Sequence, residues 1–337
     1  MKNASKSEAS KQTDPRWMRR ALRPNVPARH LPVRSTQRST KRRGLTLVEL
    51  FLVLVVVAVL LAVLLPLLAG ARRGSARIHD ATMLRQLHTA FLVWSRQADG
   101  RFPTPSLIEA TTRRARAGAT GDRGKGDPAG ATTPSDFPPA DLLQTQDTHA
   151  ALYAACISQN YFSPTLCVSR AEASGHVAVM SHYNFNAYDA SRGVLWDKNF
   201  KADLDTTSHL SFATLHLFGE RSALQWRESL DADFVVVGNR GVRDGRTDPA
   251  TYDASVTLKI HGPSSSWEGN LVFNDNHVEF ATAFTPPSLK GFGANGVVPD
   301  NVFRDDPEGA GGDVWLTMIR GVSLDADGQP LPDLSWD

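Results

Sequence analysis

An apolar stretch of 25 residues, 45–69, constrains this 337-residue chain more than any other feature. Its only members that are neither aliphatic nor aromatic are Thr46, Glu49 and Pro66. At a rise of about 1.5 Å per residue, about 20 apolar residues cross the hydrocarbon core of a bilayer. A secretory signal peptide has a shorter apolar region followed by a small-residue cleavage site. We therefore predict a transmembrane helix over residues 45–69.

The charge of the chain is strongly asymmetric around this stretch. Residues 1–44 carry thirteen Lys or Arg against two acidic residues, a net charge of +11, whereas the whole chain carries only +2. A basic arm of this kind is typical of nucleic-acid binding or of a positive-inside topology signal. Because the arm is joined directly to the apolar stretch, we favour the topology signal and expect no nucleic-acid partner.

Glu49 is an ionisable residue near the start of the predicted span. A carboxylate in lipid is costly and marks a candidate functional residue. The alternative is that Glu49 lies near the membrane interface and simply reaches water.

The residues around Glu49 resemble the prepilin peptidase recognition motif of type IV pilins and type II secretion pseudopilins. The string KRRG at 41–44 precedes LTLVE at 45–49. The resemblance implies that residues 1–44 are a leader cut after Gly44, that the new N-terminus at Leu45 is methylated, and that Glu49, fifth after the cut, acts in assembly. Leucine stands at 45 where the family most often has phenylalanine.

Pro66 is twenty-second after the cut, where members of this family commonly carry a proline. A proline there removes a backbone hydrogen bond and permits a kink or local melting. The resemblance also implies the partners: prepilin peptidase, other pilin or pseudopilin subunits, the inner-membrane assembly platform and membrane lipid. The expected location is the bacterial inner membrane, with a single span and a periplasmic C-terminal domain.

Beyond the span, residues 70–98 are predicted to form an amphipathic extension of the same helix. Apolar residues recur at near-helical spacing among polar ones, at Ile78, Leu84, Leu87, Phe91 and Leu92. The string LHTAFLVWSRQADGRFP at 87–103 is similar to the helix end of the major pseudopilins. Residues 111–140 contain few aliphatic side chains, so they cannot bury enough apolar surface to become ordered. We therefore expect residues 99–140 to be a flexible loop or insertion.

Residues 141–337 are predicted to form a β-rich globular domain. We expect a helix over 150–161 and strands over 176–188, 234–238, 256–261, 270–273, 277–284 and 314–319. The predicted fold class is α+β, with the long N-terminal helix packed on a mainly antiparallel sheet as in pilins.

Three strings in this domain resemble a prepilin-like family with a His-to-Asp-Gly motif near the C-terminus. They are CVSR at 167–170, SHYNFNAY at 181–188, and GNLVFNDNHVEF at 269–280 together with His261. Asn276 follows Asp275 where that family has glycine. The alternative interpretation of residues 274–276 is a hairpin turn, which we favour.

Two further sites follow from residue type. The acidic C-terminal segment resembles the calcium loop of the major pseudopilins, in which Asp325, Asp327 and Asp333 would supply oxygen ligands; the alternative is a solvated acidic tail. Cys156 and Cys167 have no metal-binding spacing. They are either a disulfide, worth about 3 kcal/mol in the chain-entropy model, or two buried free thiols.

The sequence contains no HExxH, GxSxG, Walker or Cys/His zinc pattern. We therefore expect a structural subunit and not an enzyme. Two alternatives stay open: a membrane-anchored hydrolase with a catalytic cluster that sequence does not reveal, and a single-pass anchor that displays a binding domain and never polymerises.

Overall fold

The computed structural model of the protein describes residues 44–119, 144–189, 193–246, 248–262, 266–293, 296–305 and 313–336. The chain divides into two units, Met1–Ala58 and Val59–Asp337, with the boundary inside the first helix. The predicted leader therefore lies outside the described residues except for Gly44.

Helix α1 runs over Leu47–Ser95, a length of 49 residues. It includes one segment, Leu47–Leu65, that is long and apolar enough to cross a membrane, and that window has no buried residue. At about 1.5 Å per residue this segment measures about 28 Å, close to the thickness of a bilayer core. The helix ends just before Asp99 and Gly100, which both take positive φ angles, 52° and 77°. The amide of Gly100 closes the end by donating to the Ser95 carbonyl at 3.0 Å.

The second half of α1 buries one face. Leu84, Leu87 and Phe91 are fully buried, as their spacing predicted. Ile78 is instead 69% exposed. At 100° per residue, Ile78 lies 240° around the helix from Leu84 and therefore falls outside the buried stripe.

Helix α2, Pro105–Ala119, lies within residues 99–140, which were predicted to be a flexible loop or insertion, and shows that this part of the range is helical. Ile108 is fully buried against the core. Asp147, from a distant part of the chain, accepts hydrogen bonds from the Ser106 amide and hydroxyl in the first turn of α2, both at 2.7 Å. This contact satisfies a free amide of the helix start, and the segment is rich in the strong helix formers Ala and Arg. Residues 120–143 lie outside the described residues.

Three shorter helices follow: α3 over His149–Ser158, α4 over Gly219–Gln225 and α5 over Pro249–Ala254. Helix α3 confirms the helix predicted at 150–161. Thr148 is its N-cap, with a side chain that accepts from the Ala151 amide, and nearly all of its residues are buried.

The described residues form eleven strands. They are β1 Ala202–Asp203, β2 Thr207–Ser208, β3 Phe212–Leu215, β4 Val235–Asn239, β5 Gly269–Phe273, β6 Val278–Ala281, β7 Lys290–Gly293, β8 Gly296–Pro299, β9 Leu316–Thr317, β10 Ile319–Leu324 and β11 Pro330–Leu334. Five of them form one antiparallel sheet in the order β6-β5-β4-β3-β9. The pairs β1-β2, β7-β8 and β10-β11 are separate antiparallel hairpins.

The strand predictions have mixed outcomes. Strands β4, β5 and β6 confirm those predicted at 234–238, 270–273 and 277–284, and β9 lies inside 314–319. Residues 256–261 form a 3-10 turn at Thr257–Lys259, and residues 176–188 are mostly irregular, with one isolated bridge at Val177 and a 3-10 turn at Phe185–Ala187. Strand β3 was not predicted, nor were the hairpin strands β1, β2, β7, β8 and β11, and β10 overlaps the predicted ranges only at Ile319. The fold is nevertheless mixed helix and antiparallel sheet, as expected.

Candidate functional site

The start of α1 is built as a capping box. Thr46 is the N-cap, because its carbonyl accepts the first helical hydrogen bond from the Leu50 amide at 3.0 Å. Its hydroxyl oxygen accepts from the Glu49 amide at 3.2 Å, and its own amide donates to Glu49 Oε2 at 2.8 Å. This reciprocal pairing of a threonine with a glutamate three residues later satisfies two amides that the helix leaves free.

The Glu49 carboxylate is only partly occupied by this arrangement. Oε2 takes hydrogen bonds from both the amide and the hydroxyl of Thr46, at 2.8 and 3.0 Å, and no described residue donates to Oε1. The box thus holds the carboxylate close to the N-terminus of its own helix while leaving one oxygen open. A carboxylate at this end of a helix is favoured by the helix dipole.

Gly44 and Leu45, the predicted cleavage and methylation residues, precede the cap and are exposed. Leu45 is 73% exposed, and a side chain at Gly44 would meet no atom within 4 Å. Both residues are therefore accessible to another protein. Pro66 lies within α1, one residue after the 19-residue apolar window.

A second group of residues joins the other half of α1 to the sheet through Asp80. This aspartate is fully buried. Its Oδ2 accepts hydrogen bonds from Ser169 Oγ at 2.5 Å, from Asn239 Nδ2 at 3.1 Å and from His261 Nε2 at 2.9 Å. Its Oδ1 is buried and has no partner among the described residues. Three separate chain segments therefore converge on one oxygen of the helix.

Further hydrogen bonds connect the Asp80 cluster to strand β5 and back to α1. Asn239, the last residue of β4, accepts from the amide and the side chain of Asn270 at 2.7 and 3.2 Å. Asn270 in turn donates to the Arg77 carbonyl at 3.1 Å. The Arg77 guanidinium lies 3.2 Å from the centre of the Phe280 ring and 3.7 Å from Glu268. Helix α1 is thus held to both β5 and β6 at this level.

A buried ion pair lies among the same segments. Arg240 binds both carboxylate oxygens of Glu172, and the two side chains are 2% and 6% exposed. Ser211 also donates to Glu172 at 2.6 Å, and Arg240 donates to Thr257 at 2.9 Å. Burial alone would raise the pKa of Glu172, but its hydrogen bonds and the charge of Arg240 lower it below the ordinary value. The pair is therefore ionised and its polar groups are satisfied.

The turn between β5 and β6 contacts α1 at a further point. Asn276, with a φ of 71°, confirms the hairpin turn favoured for residues 274–276. Its Oδ1 accepts from His88 Nδ1 at 3.0 Å, and its Nδ2 donates to Thr89 at 3.2 Å. Burial lowers the pKa of His88. The neighbouring Asp275 instead pairs with the half-exposed His277 at 2.6 Å.

The strings that resemble the His-to-Asp-Gly family thus have visible structural roles. Ser169 and His261 meet at Asp80, and Asn270 joins them through Asn239. Tyr183 donates to the Ala154 carbonyl at 2.6 Å and so fixes its loop to α3. Asp275 is not part of this cluster.

The predicted calcium ligands do not form a site. No group of three or more His, Cys, Asp or Glu side chains is placed to hold a metal ion in the described part of the chain. Asp325 Oδ1 instead accepts from the amides of Asp327 and Gln329 and shapes the β10-β11 turn. Asp333 lies opposite Gly321, three residues along the hairpin from the Leu324–Pro330 pair next to the turn. At about 3.3 Å per residue this is a distance of about 10 Å. Its carboxylate pairs with Arg320 at 2.7 Å.

Cys156 and Cys167 are free thiols in this structure, and both are buried. Burial raises the pKa of the Cys156 thiol and that of Cys167. Of the two alternatives, the structure therefore corresponds to the buried-thiol form.

Several residues of these sites were missed by sequence reasoning, and three of them differ in the signal that they offered. Thr46 had a recognisable signal, because a threonine three residues before a glutamate ahead of an apolar run indicates a capping box. Asp80 lies four residues before Leu84 and so on the buried face of α1, which marks a buried carboxylate. Asn239 had no comparable signal.

Comparisons with protein-family models, with curated proteins and with solved structures gave no match for this chain.

Proposed function

We propose that the chain is a pilin-like subunit of the pseudopilin type, cleaved after Gly44 and assembled into a filament through α1. The observation that carries the proposal is the capping box of Thr46 and Glu49 two residues after an exposed glycine, at the start of an exposed apolar helix. A carboxylate in that position is a cost to a plain membrane anchor. A role of Glu49 in assembly would explain why a carboxylate occupies this position.

The proposed role of Glu49 follows from its open oxygen. Cleavage after Gly44 would create an α-amino group at Leu45, and in a packed filament the amino group of a neighbouring subunit would be the nearest new cation. Oε1 of Glu49 could pair with it while Oε2 keeps its bonds to Thr46. Such a pair, formed away from water, would be strong and would fix the axial register of the subunits.

The partners would be prepilin peptidase, other pilin-like subunits, an inner-membrane assembly platform and membrane lipid, with the β-rich domain periplasmic. Pro66 would allow α1 to bend or melt locally as subunits pack. We assign no catalytic role.

A non-polymerising anchored binding domain is the second candidate. It is favoured by a cleft of about 1240 Å³ beside α1, lined by Met83, Val93, Phe162 and Arg170 among others. Such a concavity is large enough for a peptide or a small ligand.

The first test is the N-terminal mass of the full-length protein from membranes of cells with and without an active prepilin peptidase. A start at N-methylated Leu45 that depends on the peptidase, and that Gly44→Val abolishes, supports the pilin class. Gly74→Ala, at an open position of α1, is the control and should be processed normally. An intact leader in cells with active peptidase would favour the anchored binding domain.

The second test separates processing from assembly. Glu49→Gln should be cleaved normally but should not enter sheared filaments, because an amide cannot pair with an ammonium group as a carboxylate does. Normal filament yield from Glu49→Gln would contradict the assembly role.

A further inference from the structure

The region of α1 beyond the apolar window carries two arginines that have no partner among the described residues. Arg72 and Arg73 are exposed, and no described residue forms a hydrogen bond or ion pair with either guanidinium. A side chain at Gly74 would meet no atom within 4 Å, so no described segment packs on the helix at this position. We call residues 72–75 the collar.

The collar ends where the globular domain begins to hold the helix. Arg77, one turn further on, lies against Phe280 and Glu268. The described residues of the domain therefore contact Arg77, the third arginine of this stretch, and do not contact the guanidinium groups of the first two.

The position of the collar matches the headgroup layer of a bilayer. Arg72 is seven residues beyond Leu65, about 10 Å at 1.5 Å per residue. The headgroup layer extends about 5 to 8 Å beyond the hydrocarbon core on each side. Long helical side chains lean toward the helix N-terminus, which here is the membrane side. Both guanidinium groups can therefore reach the layer of lipid phosphates.

We infer that Arg72 and Arg73 bind the phosphate groups of anionic phospholipids in the leaflet next to the globular domain. The planar guanidinium matches the phosphate oxygens with two parallel hydrogen bonds. Each basic residue near a membrane surface strengthens binding to anionic lipid about five-fold. In a filament subunit, these contacts would oppose extraction from the membrane until they are released. The inference rests on membrane insertion, which is part of the proposed function, but not on polymerisation.

The test uses the full-length chain in phosphatidylcholine vesicles, oriented with the globular domain outside. Phosphatidylglycerol and its spin-labelled analogue are exchanged into the outer leaflet only, so that the basic N-terminal arm does not contribute. Electron paramagnetic resonance then measures the preference of the protein for phosphatidylglycerol over phosphatidylcholine. We expect a preference of about five-fold or more, lost in Arg72→Gln/Arg73→Gln and partly retained in Arg72→Lys/Arg73→Lys.

The matched control is Arg85→Gln/Arg96→Gln, which removes two exposed arginines about 30 Å or more beyond Leu65. This variant should keep the full preference, and added inorganic phosphate should not displace the lipid. An equal loss in both double variants, or no preference in the unmodified chain, would overturn the inference while leaving the proposed function intact. Release of the unmodified chain by alkaline carbonate would instead overturn membrane insertion, and with it both proposals.

Discussion

His261 Nε2 lies 2.9 Å from Asp80 Oδ2, although 181 positions separate the two residues in the chain. Both side chains are almost completely buried, at 2% and 0% exposure. The contact fixes helix α1 to the segment that leads into β5, and Ser169 and Asn239 bind the same carboxylate oxygen. The position of the helix on the sheet is therefore specified by directional polar contacts as well as by apolar packing.

Replacing Asp80 should strongly destabilise the domain. Asp80→Ala removes the acceptor of three buried donors, and we expect a loss of about 3 to 4 kcal/mol in the free energy of unfolding. His261→Ala should cost about 2 kcal/mol, because it removes one of the three donors. Urea denaturation of the full-length chain in detergent, followed by tryptophan fluorescence, measures both.

The double variant tests whether the two residues act together. Their effects should fall short of additivity by about 1 to 2 kcal/mol, since they share one hydrogen bond. Arg85→Ala, an exposed change on the same helix, should stay within about 0.5 kcal/mol of the unmodified chain. Strict additivity of Asp80→Ala and His261→Ala would show that the observed contact contributes nothing.

Because His149 is buried in its neutral form, we expect the free energy of unfolding to decrease in acid. His149 is fully buried, its Nδ1 accepts from the Ile319 amide at 2.8 Å, and its Nε2 donates to Thr214 at 2.7 Å. Burial lowers its pKa to about 3, against about 6.5 when unfolded. Its contribution is therefore fully present above pH 6.5 and is lost as the pH falls toward 3. At pH 5 the loss is about 2 kcal/mol.

Two variants distinguish this effect from general acid unfolding. His149→Gln should flatten the decrease between pH 6.5 and 5 by about 2 kcal/mol. Thr214→Val removes the hydrogen-bond partner but not the titrating group, so it should lower stability at every pH without changing the slope. His216, whose pKa burial lowers to about 4, should behave like His149. An unchanged slope in His149→Gln would contradict the assignment.

Gly241 is required by close packing. A methyl group there would overlap the ring of Phe303, which is fully buried against Trp267 and Phe284. We expect Gly241→Ala to cost about 2 to 3 kcal/mol, because the aromatic cluster must shift. Gly175→Ala is the control, since a methyl group at that position meets no atom within 4 Å. Equal midpoints of thermal unfolding for the two variants would contradict this packing.

The parts of the fold that depend on local pattern could be predicted from the sequence. Leu84, Leu87 and Phe91 fall on one helical face and are buried together. Asn276 takes the positive φ angle that its turn requires. In each case neighbouring residues contain the whole signal.

The predictions that failed missed hydrogen bonds and burial that composition and periodicity do not show. Residues 256–261 have the apolar, β-branched composition of a strand, but the Ser255 hydroxyl oxygen accepts a hydrogen bond from the Leu258 amide and a 3-10 turn forms. The first turn of helix α2 is bound by Asp147, which lies 41 positions away in the chain. Strand β3 is buried on both faces and so lacks the alternation that identifies a strand.

In the candidate sites too, residues marked by a local sequence pattern could be predicted, whereas residues brought together by the fold could not. Glu49 was identified from its unusual position in an apolar run, and its cap Thr46 is encoded three residues away. The cluster at Asp80 is assembled from residues 80, 169, 239 and 261, and the sequence does not show that these positions meet. Only the folded sheet brings them together.

Thr46→Val tests the cap at the start of α1. The variant keeps the shape of the side chain but removes the oxygen that accepts from the Glu49 amide. Loss of a threonine cap costs about 1 kcal/mol, so hydrogen exchange of the Glu49 amide in detergent should become about five-fold faster. Thr46→Ser retains the oxygen and should exchange like the unmodified chain. If Thr46→Val and Thr46→Ser exchange at the same rate, the Thr46 side chain does not cap this helix, and the Glu49 carboxylate is held by the Thr46 amide alone.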